Sequence, residues 1–360
     1  MLFLPFSLLD YFWTAAIWLG FELACLTASV GMMIRGMGFR PPLWAAPVIM
    51  TALLAFHPIY EDLYDGQLMI VLLMLLVGAW QALLSGHRWR GGVLIGLAVL
   101  IKLMPWPLLL LLALRKDWRA LSGGVGTILI GYGMTAWAIG LDAIVSYFTR
   151  TLPPLAQVYS VISSNLSVWT LGPRVFHGTE PGVTMGAVMM SRTYDVSITP
   201  LVYFPLAGQI LSAVAVLVVL LLALKAVHNQ LRLDPGFGIF VCVSILLSPI
   251  AWSHYLVLAI IPLAQTIGWL IHQHWPSGQT NLAIPLALLL IPQSEWVKLG
   301  RLLAGQPLTA GMADALSFAP GLVTLALTIL VMALAWVMAI LDVHPNLPQR
   351  FEAVEMSRDK

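Results

Sequence analysis

Charge is what this sequence has least of. Asp, Glu, Lys and Arg make up only 9% of its 360 residues, whereas water-soluble domains carry about 25%, so a soluble globule is excluded. Cysteine is almost absent. Cys25 and Cys242 both sit inside apolar runs, which excludes a disulfide framework and reads as small core residues. The net charge is +2, with no basic arm or acidic tail, and no nucleic-acid partner is expected. There is no Walker loop, no nucleophile elbow and no metal-ligand spacing, so no metal ligands are assigned and a divalent cation stays undecided. Met1–Asp10 lacks the basic start and cleavage site of a signal peptide. No repeat of fixed length and no matching halves are present.

What is present is apolar: 60% of the residues, with a mean hydropathy of +0.90. A spanning helix needs roughly 20 apolar residues. The chain therefore reads as an all-α polytopic membrane protein. Nine spans are expected, at Tyr11–Met33, Pro42–His57, Gln67–Leu84, Ala120–Gly140, Leu201–Leu224, Gly236–Ser248, Tyr255–Ile271, Leu282–Pro292 and Pro320–Leu341. Gly91–Leu114 differs, being two apolar halves split by Lys102 and Pro105, and reads as a broken hairpin that enters and returns on one side. Placing the loops at Arg35/Arg40, Arg88/Arg90, Arg115–Arg119 and Lys225–Arg232 inside, with the C-terminal tail, puts 12 of the 18 Lys and Arg inside. That fixes an outside N-terminus and an inside C-terminus. Residues 1–341 then form one membrane domain, with a long outer loop at 141–200, and 342–360 a short polar tail.

Three segments gather on the outer face in this topology. The first, Ile59–Gln67, carries Glu61, Asp62 and Asp65, which read as a proton acceptor, a cation site or a plain solvated loop. The second is the loop 141–200, too aromatic for simple disorder. Its Asn165-Leu166-Ser167 fits a weak glycosylation pattern, and its Arg174 is the best fixed cation for a phosphate. The third is Ser248–His254, where a Ser-Pro break interrupts an apolar run. Broken helices in a bilayer line cavities or are buried in protein. Here Trp252 suits the headgroup level, and His254 either meets a phosphate, moves a proton, or merely anchors a turn with Trp252. Lys102 lies at depth, where lysine pairs, faces water or snorkels. Glu22 falls mid-span, as a functional carboxyl or as a neutral one packed against a neighbouring helix.

Singly these signals are weak, but their order along the chain is specific. Gly66–Arg119, with a Gly66-Gln67 pair opening an apolar helix, a short basic loop, a Gly-rich half-helix, Lys102 with Pro105 three residues on and an Arg/Lys/Trp exit, resembles the polyprenyl-phosphate-dependent glycosyltransferases of the GT-C class, family 87. Asn165-Leu-Ser followed by Arg174 is similar to that family's Asn-x-Ser…Arg loop, and "LSPIAWSHYLVL" to its Ser-Pro-x-x-Trp-x-His segment. The resemblance covers roughly residues 1–270.

It implies a GT-C-like bundle in the plasma (inner) membrane with its active face outward. The implied reaction moves a sugar, such as mannose or arabinofuranose, from a polyprenyl-phosphate donor to a lipid or glycan acceptor of the cell envelope. His254 with Asp62 or Glu61 would be catalytic. Lys102, Asn165, Arg174, Gln67, Ser248 and Trp252 would bind the donor phosphate or substrate. Two departures stand out. Met69 replaces an expected Asn, and the opening "MLFLPFSLLDYFWTAAIWLG" resembles the part of the family's chain that comes after its first outer loop. The expectation is thus a chain lacking that first helix and its usual base, with the base upstream or replaced by Asp62, Glu61 or Asp10. A polytopic transporter or flippase and a catalytically inactive truncated homologue are the alternatives.

Overall fold

The computed structural model describes residues 8–160, 165–178, 200, 202–228 and 233–272. The expected spans at 282–292 and 320–341 and the tail 342–360 lie outside the described residues. Every regular element within them is helical.

The first helix, α1 (Tyr11–Gly36), starts where the Asp10 carboxylate accepts a hydrogen bond from the Trp13 amide at 3.0 Å. Its 26 residues reach about 39 Å at 1.5 Å each, longer than a bilayer core of about 30 Å. One stripe, Glu22, Cys25, Leu26, Ser29, Val30 and Met33, is buried at helical spacing. Trp13, Ile17 and Phe21 face outward. The same outward apolar surface recurs on α7 (Trp118–Ile139) and α10 (Pro205–His228), where Leu129, Ile130, Met134, Trp137 and Leu217 are exposed. Surfaces of that kind call for lipid rather than water.

Among the described residues two helices, Tyr11–Gly36 and Pro205–Lys225, are long and apolar enough to cross a membrane alone, and two bent pairs bring the number to four. This number does not decide the nine-span count, because two of the expected spans lie outside the described residues and three others coincide with shorter apolar helices, Ala45–Leu54, Gly236–Leu247 and Ser253–Gln265. Between α2 (Ala45–Leu54) and α4 (Met69–Leu84) lies the separate helix α3 (His57–Asp65), with Pro58 in its first turn. Gly66 ends α3 in the left-handed region at φ +60°, and α4 leaves at 118° to it. Similarly α7 stops at Gly140, φ +91°, and the chain turns by 112° into a helical stretch over Leu141–Ser160. That stretch is α8 (Leu141–Ser146), a π-helical turn and α9 (Leu152–Ser160). The first third of the expected loop 141–200 is therefore helix. Pro153 and Pro154 fall in the opening turn of α9, where proline is tolerated.

The expected broken hairpin is found as α5 (Arg88–Ile101) and α6 (Pro107–Leu114), separated at Lys102. α5 packs against α7 through glycines. A Cβ at Gly96 would lie 2.5 Å from the Gly124 carbonyl oxygen, and one at Gly124 would lie 3.1 Å from that of Gly92. Such small-residue seams let helices approach closely where lipid supplies no hydrophobic drive. The centre of the molecule is α4 with α11 (Leu233–Leu247), whose Leu72, Leu73, Leu76, Phe237, Phe240 and Val243 are all buried. After α11 the chain runs through a 3-10 turn, Ser253–Ala259, into α12 (Ile260–His272).

Candidate functional site

Three chain breaks meet at one end of α4: the α3–α4 bend, the α5–α6 gap and the segment after α11. Each exposes backbone groups that need partners, and the way they find them builds the site.

At the α3–α4 bend the partner is Asp62. Its two carboxylate oxygens accept from the amides of Met69, at 3.2 Å, and Ile70, at 2.9 Å, at the start of α4. A carboxylate there also meets the positive end of the helix dipole. Glu61, its neighbour, turns the other way. It accepts a hydrogen bond from the Ser253 hydroxyl, and its other oxygen lies 3.5 Å from Nδ1 of His57. Both carboxylates are buried in helix α3, so the expectation of a solvated acidic loop is corrected. Asp65 alone is half-exposed. Gln67, also half-buried, donates its backbone N–H to the Asp62 carbonyl at 2.9 Å within the bend.

At the second break Lys102 is extended, φ −146° and ψ 123°. Its ammonium lies 3.4 Å from the Met69 sulfur and 3.9 Å from the centre of the Tyr255 ring. Asp62 and Lys102 are near enough to interact electrostatically, as are Asp62 and the fully buried Glu22 of α1. Glu22 thus joins the edge of the same cluster.

The third break is stitched by Asn165. Its amide nitrogen donates to the carbonyls of Tyr159 and Pro249, both at 2.9 Å, and its oxygen accepts from the amides of Ser167 and Ala251, at 3.1 and 2.9 Å. The side chain is fully buried. An amide so engaged is a brace, and it is no glycan acceptor. Trp169 Nε1 and the Ser167 hydroxyl donate to the last carbonyls of α11, Leu247 at 3.1 Å and Leu246 at 3.4 Å. Ser248 is held within the break, its hydroxyl 2.5 Å from the Ile250 carbonyl.

The break then delivers its side chains. Trp252 is half-buried and meets the Tyr159 ring edge-on at 5.4 Å. His254 is buried, its ring 5.0 Å from that of Tyr255. Arg174 lies in the π-helical turn Pro173–His177, which packs on α10; its side chain lies outside the described residues. Asp10 caps α1 on the exposed surface.

The structure therefore brings Glu61, Asp62 and Lys102 to the same place, with His254 on the turn whose flanking residues, Ser253 and Tyr255, touch Glu61 and Lys102, and puts Asn165 and Ser248 behind them as supports. Sequence reasoning passed over Ser253 and Tyr255, and noted Met69 only as the residue standing in place of an expected Asn. Tyr255 comes directly after His254, but its apolar neighbours disguise it as the first residue of a span. An apolar trough of about 570 Å³ adjoins this end, lined by Met33, Ile49, Leu53, Phe56, Ile260 and Leu263. Phe56 precedes His57, and Ile260 succeeds the turn that bears His254. Arg40 also contributes to its wall. Among the described residues no three His, Cys, Asp or Glu side chains gather as a metal-holding group.

Comparison with known proteins adds an independent line. The model of glycosyltransferase family 87 matches residues 1–249. An alpha-(1->3)-arabinofuranosyltransferase of Mycobacterium tuberculosis is 26% identical over 225 residues, covering 59% of this chain and 51% of the relative. The enzyme of that name from Corynebacterium glutamicum is 30% identical over 171 residues, 46% of this chain and 40% of its own. A polyprenol-phosphate-mannose-dependent alpha-(1-2)-phosphatidylinositol pentamannoside mannosyltransferase of Mycolicibacterium smegmatis is 26% identical over 277 residues, 76% of this chain and 59% of that protein. The chain spans about half the length of the curated relatives it matches. No solved structure matches it.

Proposed function

The chain belongs to glycosyltransferase family 87, and from that premise we propose that it is a membrane glycosyltransferase that moves a sugar, mannose or arabinofuranose, from a polyprenyl phosphate to a lipid or glycan of the cell envelope. The observation that carries this reading is the approach of Lys102 and two buried carboxylates to the turn that bears His254, where three helices break. Such a place offers an anion a cation and a hydroxyl group a base, beside an apolar trough suited to an isoprenoid chain. One mycobacterial relative is named as polyprenol-phosphate-mannose-dependent, which supports the donor class. The family match does not favour a transporter.

In the proposed reaction the acceptor hydroxyl oxygen attacks the anomeric carbon of the sugar. The bond from that carbon to the phosphate oxygen breaks, and its electrons leave with the polyprenyl phosphate. The acceptor's proton passes to Glu61, whose carboxylate borders Ser253 and His57. General bases of this kind contribute about 10²–10⁴-fold. Asp62 serves differently, holding the start of α4 and lending Lys102 a distant counter-charge. Lys102 and His254 stabilise charge on the departing phosphate, with Gln67 and Trp252 at the rim and Arg174, on the turn that packs against α10, as a further candidate cation. The site faces outward from the plasma membrane in this reading, because Arg35, Arg88, Arg90 and Arg115 lie toward the other helix ends.

The test is transfer by the purified full chain in proteoliposomes, supplied with radiolabelled polyprenyl-phosphate sugar and envelope lipid. Labelled glycolipid is expected. His254→Ala should lower its rate by at least about 100-fold. Flux of substrate without a glycoside product overturns the reading, and an unchanged rate in His254→Ala removes that residue from it.

A further inference from the structure

The surroundings of Lys102 differ from those of an ordinary buried lysine. Among the described residues no carboxylate oxygen lies within ion-pair distance of its ammonium. Asp62, the nearest acidic group acting on it, has an oxygen on each of two backbone amides. What touches the ammonium is soft and uncharged: the face of Tyr255 at 3.9 Å and the sulfur of Met69 at 3.4 Å.

An aromatic face attracts a cation through its quadrupole without cancelling the charge. A carboxylate in the same place would neutralise it, and an incoming anion would first have to break that pair. Both partners are themselves immobile. Met69 is fully buried at the first turn of α4, and Tyr255 is buried in the 3-10 turn, its amide donating to the Trp252 carbonyl at 2.9 Å. Lys102, on extended backbone between α5 and α6, has a long flexible stem that would otherwise wander.

We propose that Tyr255, with Met69, is a positioning residue that holds the Lys102 ammonium in place with no carboxylate of the described residues at ion-pair distance, so that the phosphate of a lipid-linked donor is the first anion to claim it. The proposal rests on the glycosyltransferase reading for the identity of the donor, but its core, a lipid phosphate on Lys102, can be measured without turnover. It also accounts for why a buried tyrosine sits directly after the buried histidine in this turn.

The experiment uses the full chain in nanodiscs and farnesyl phosphate as the probe, with binding followed by calorimetry. Tyr255→Phe, which keeps the ring face, should bind within about two-fold of the parent, and Tyr255→Leu about ten-fold more weakly. Lys102→Met should lose at least as much. Adding Tyr255→Leu to Lys102→Met should cost no further affinity, since the ring acts only through the lysine. Phenylalanines of increasing fluorine content placed at position 255 keep the shape and weaken the quadrupole, so affinity should fall stepwise with fluorination even if Tyr255→Leu does not fold. In the transfer assay the same loss should fall on the KM for donor rather than on kcat. Affinity indifferent to fluorination, or full additivity in the double variant, overturns the proposal. Absence of any glycoside product in the parent chain overturns the glycosyltransferase reading alone, leaving the binding result to stand by itself.

Discussion

The amide of Ala251 donates a 2.9 Å hydrogen bond to Oδ1 of Asn165 across 86 positions of sequence. That bond, with the three others made by the same side chain, ties the segment after α9 to the segment after α11 and thereby sets where Trp252, Ser253, His254 and Tyr255 point. The arrangement at the site thus depends on a side chain whose nitrogen and oxygen both bond to backbone groups.

Asn165→Ala should accordingly destabilise the fold as well as the activity. It leaves two carbonyls and two amides without their partner, and each buried polar group left unsatisfied costs about 1–3 kcal/mol. A loss of about 3 kcal/mol or more is expected, read as a marked drop in Tm in detergent. Asn165→Asp should be nearly as severe, because it replaces two donors with acceptors facing carbonyl oxygens. A melting temperature equal to the parent's in both variants contradicts the role of brace.

Glu61 and Asp62 are adjacent in sequence yet should separate in their effects. Glu61→Gln preserves shape and removes a proton acceptor, so transfer should fall by about 10²-fold or more with Tm nearly unchanged. Asp62→Asn removes the charged acceptor from the Met69 and Ile70 amides; hydrogen bonds to charged groups contribute about 1.5–3 kcal/mol. Thermal unfolding and initial rates on the two variants decide it. Equal Tm losses refute the division of labour.

Gly124→Val should disrupt the α5–α7 seam, since even a Cβ at Gly124 would lie 2.7 Å from a Leu109 methyl carbon and 3.1 Å from the Gly92 carbonyl oxygen. The helices would have to move apart or abandon rotamers, at a cost of about 1–3 kcal/mol. Gly126, where nothing lies within 4 Å of an added Cβ, is the control. Gly126→Ala should leave Tm unchanged or raise it slightly.

Asp117 caps α7, accepting from the Ala120 amide at 3.2 Å, with Arg88 3.6 Å from its other oxygen. Asp117→Ala should cost about 1 kcal/mol from the lost cap. Arg88→Ala should cost less, because half-exposed pairs contribute little. The same melting assay ranks them.

Much of the site is legible in the sequence because proline and isolated polar groups are conspicuous in an apolar chain. Lys102 with Pro105, and Ser248-Pro249 before His254, mark two of the three breaks, and both are seen. The third break is less legible. Ile59–Gln67 reads as a loop because Glu61, Asp62 and Asp65 crowd it, but the helix α3 hides two of those carboxylates by giving them buried donors. Tyr255 stays invisible for the opposite reason: an aromatic residue among Leu and Val is what any span contains, and only its partner across the fold distinguishes it.

Hydropathy alone dictates that this chain is helical and belongs in lipid, since a bilayer admits only helices and closed barrels, and continuous apolar runs lack the alternation a barrel strand shows. It also dictates roughly where the helices break, through proline and glycine, which act on their own backbone. Which broken ends face one another is decided only by packing. Lys102 reaches Tyr255, and Asn165 reaches Ala251, because the turn after α11 packs against α3 and the start of α4. Contacts between distant segments arise from the three-dimensional fit of whole helices, and no local pattern of residues encodes that fit.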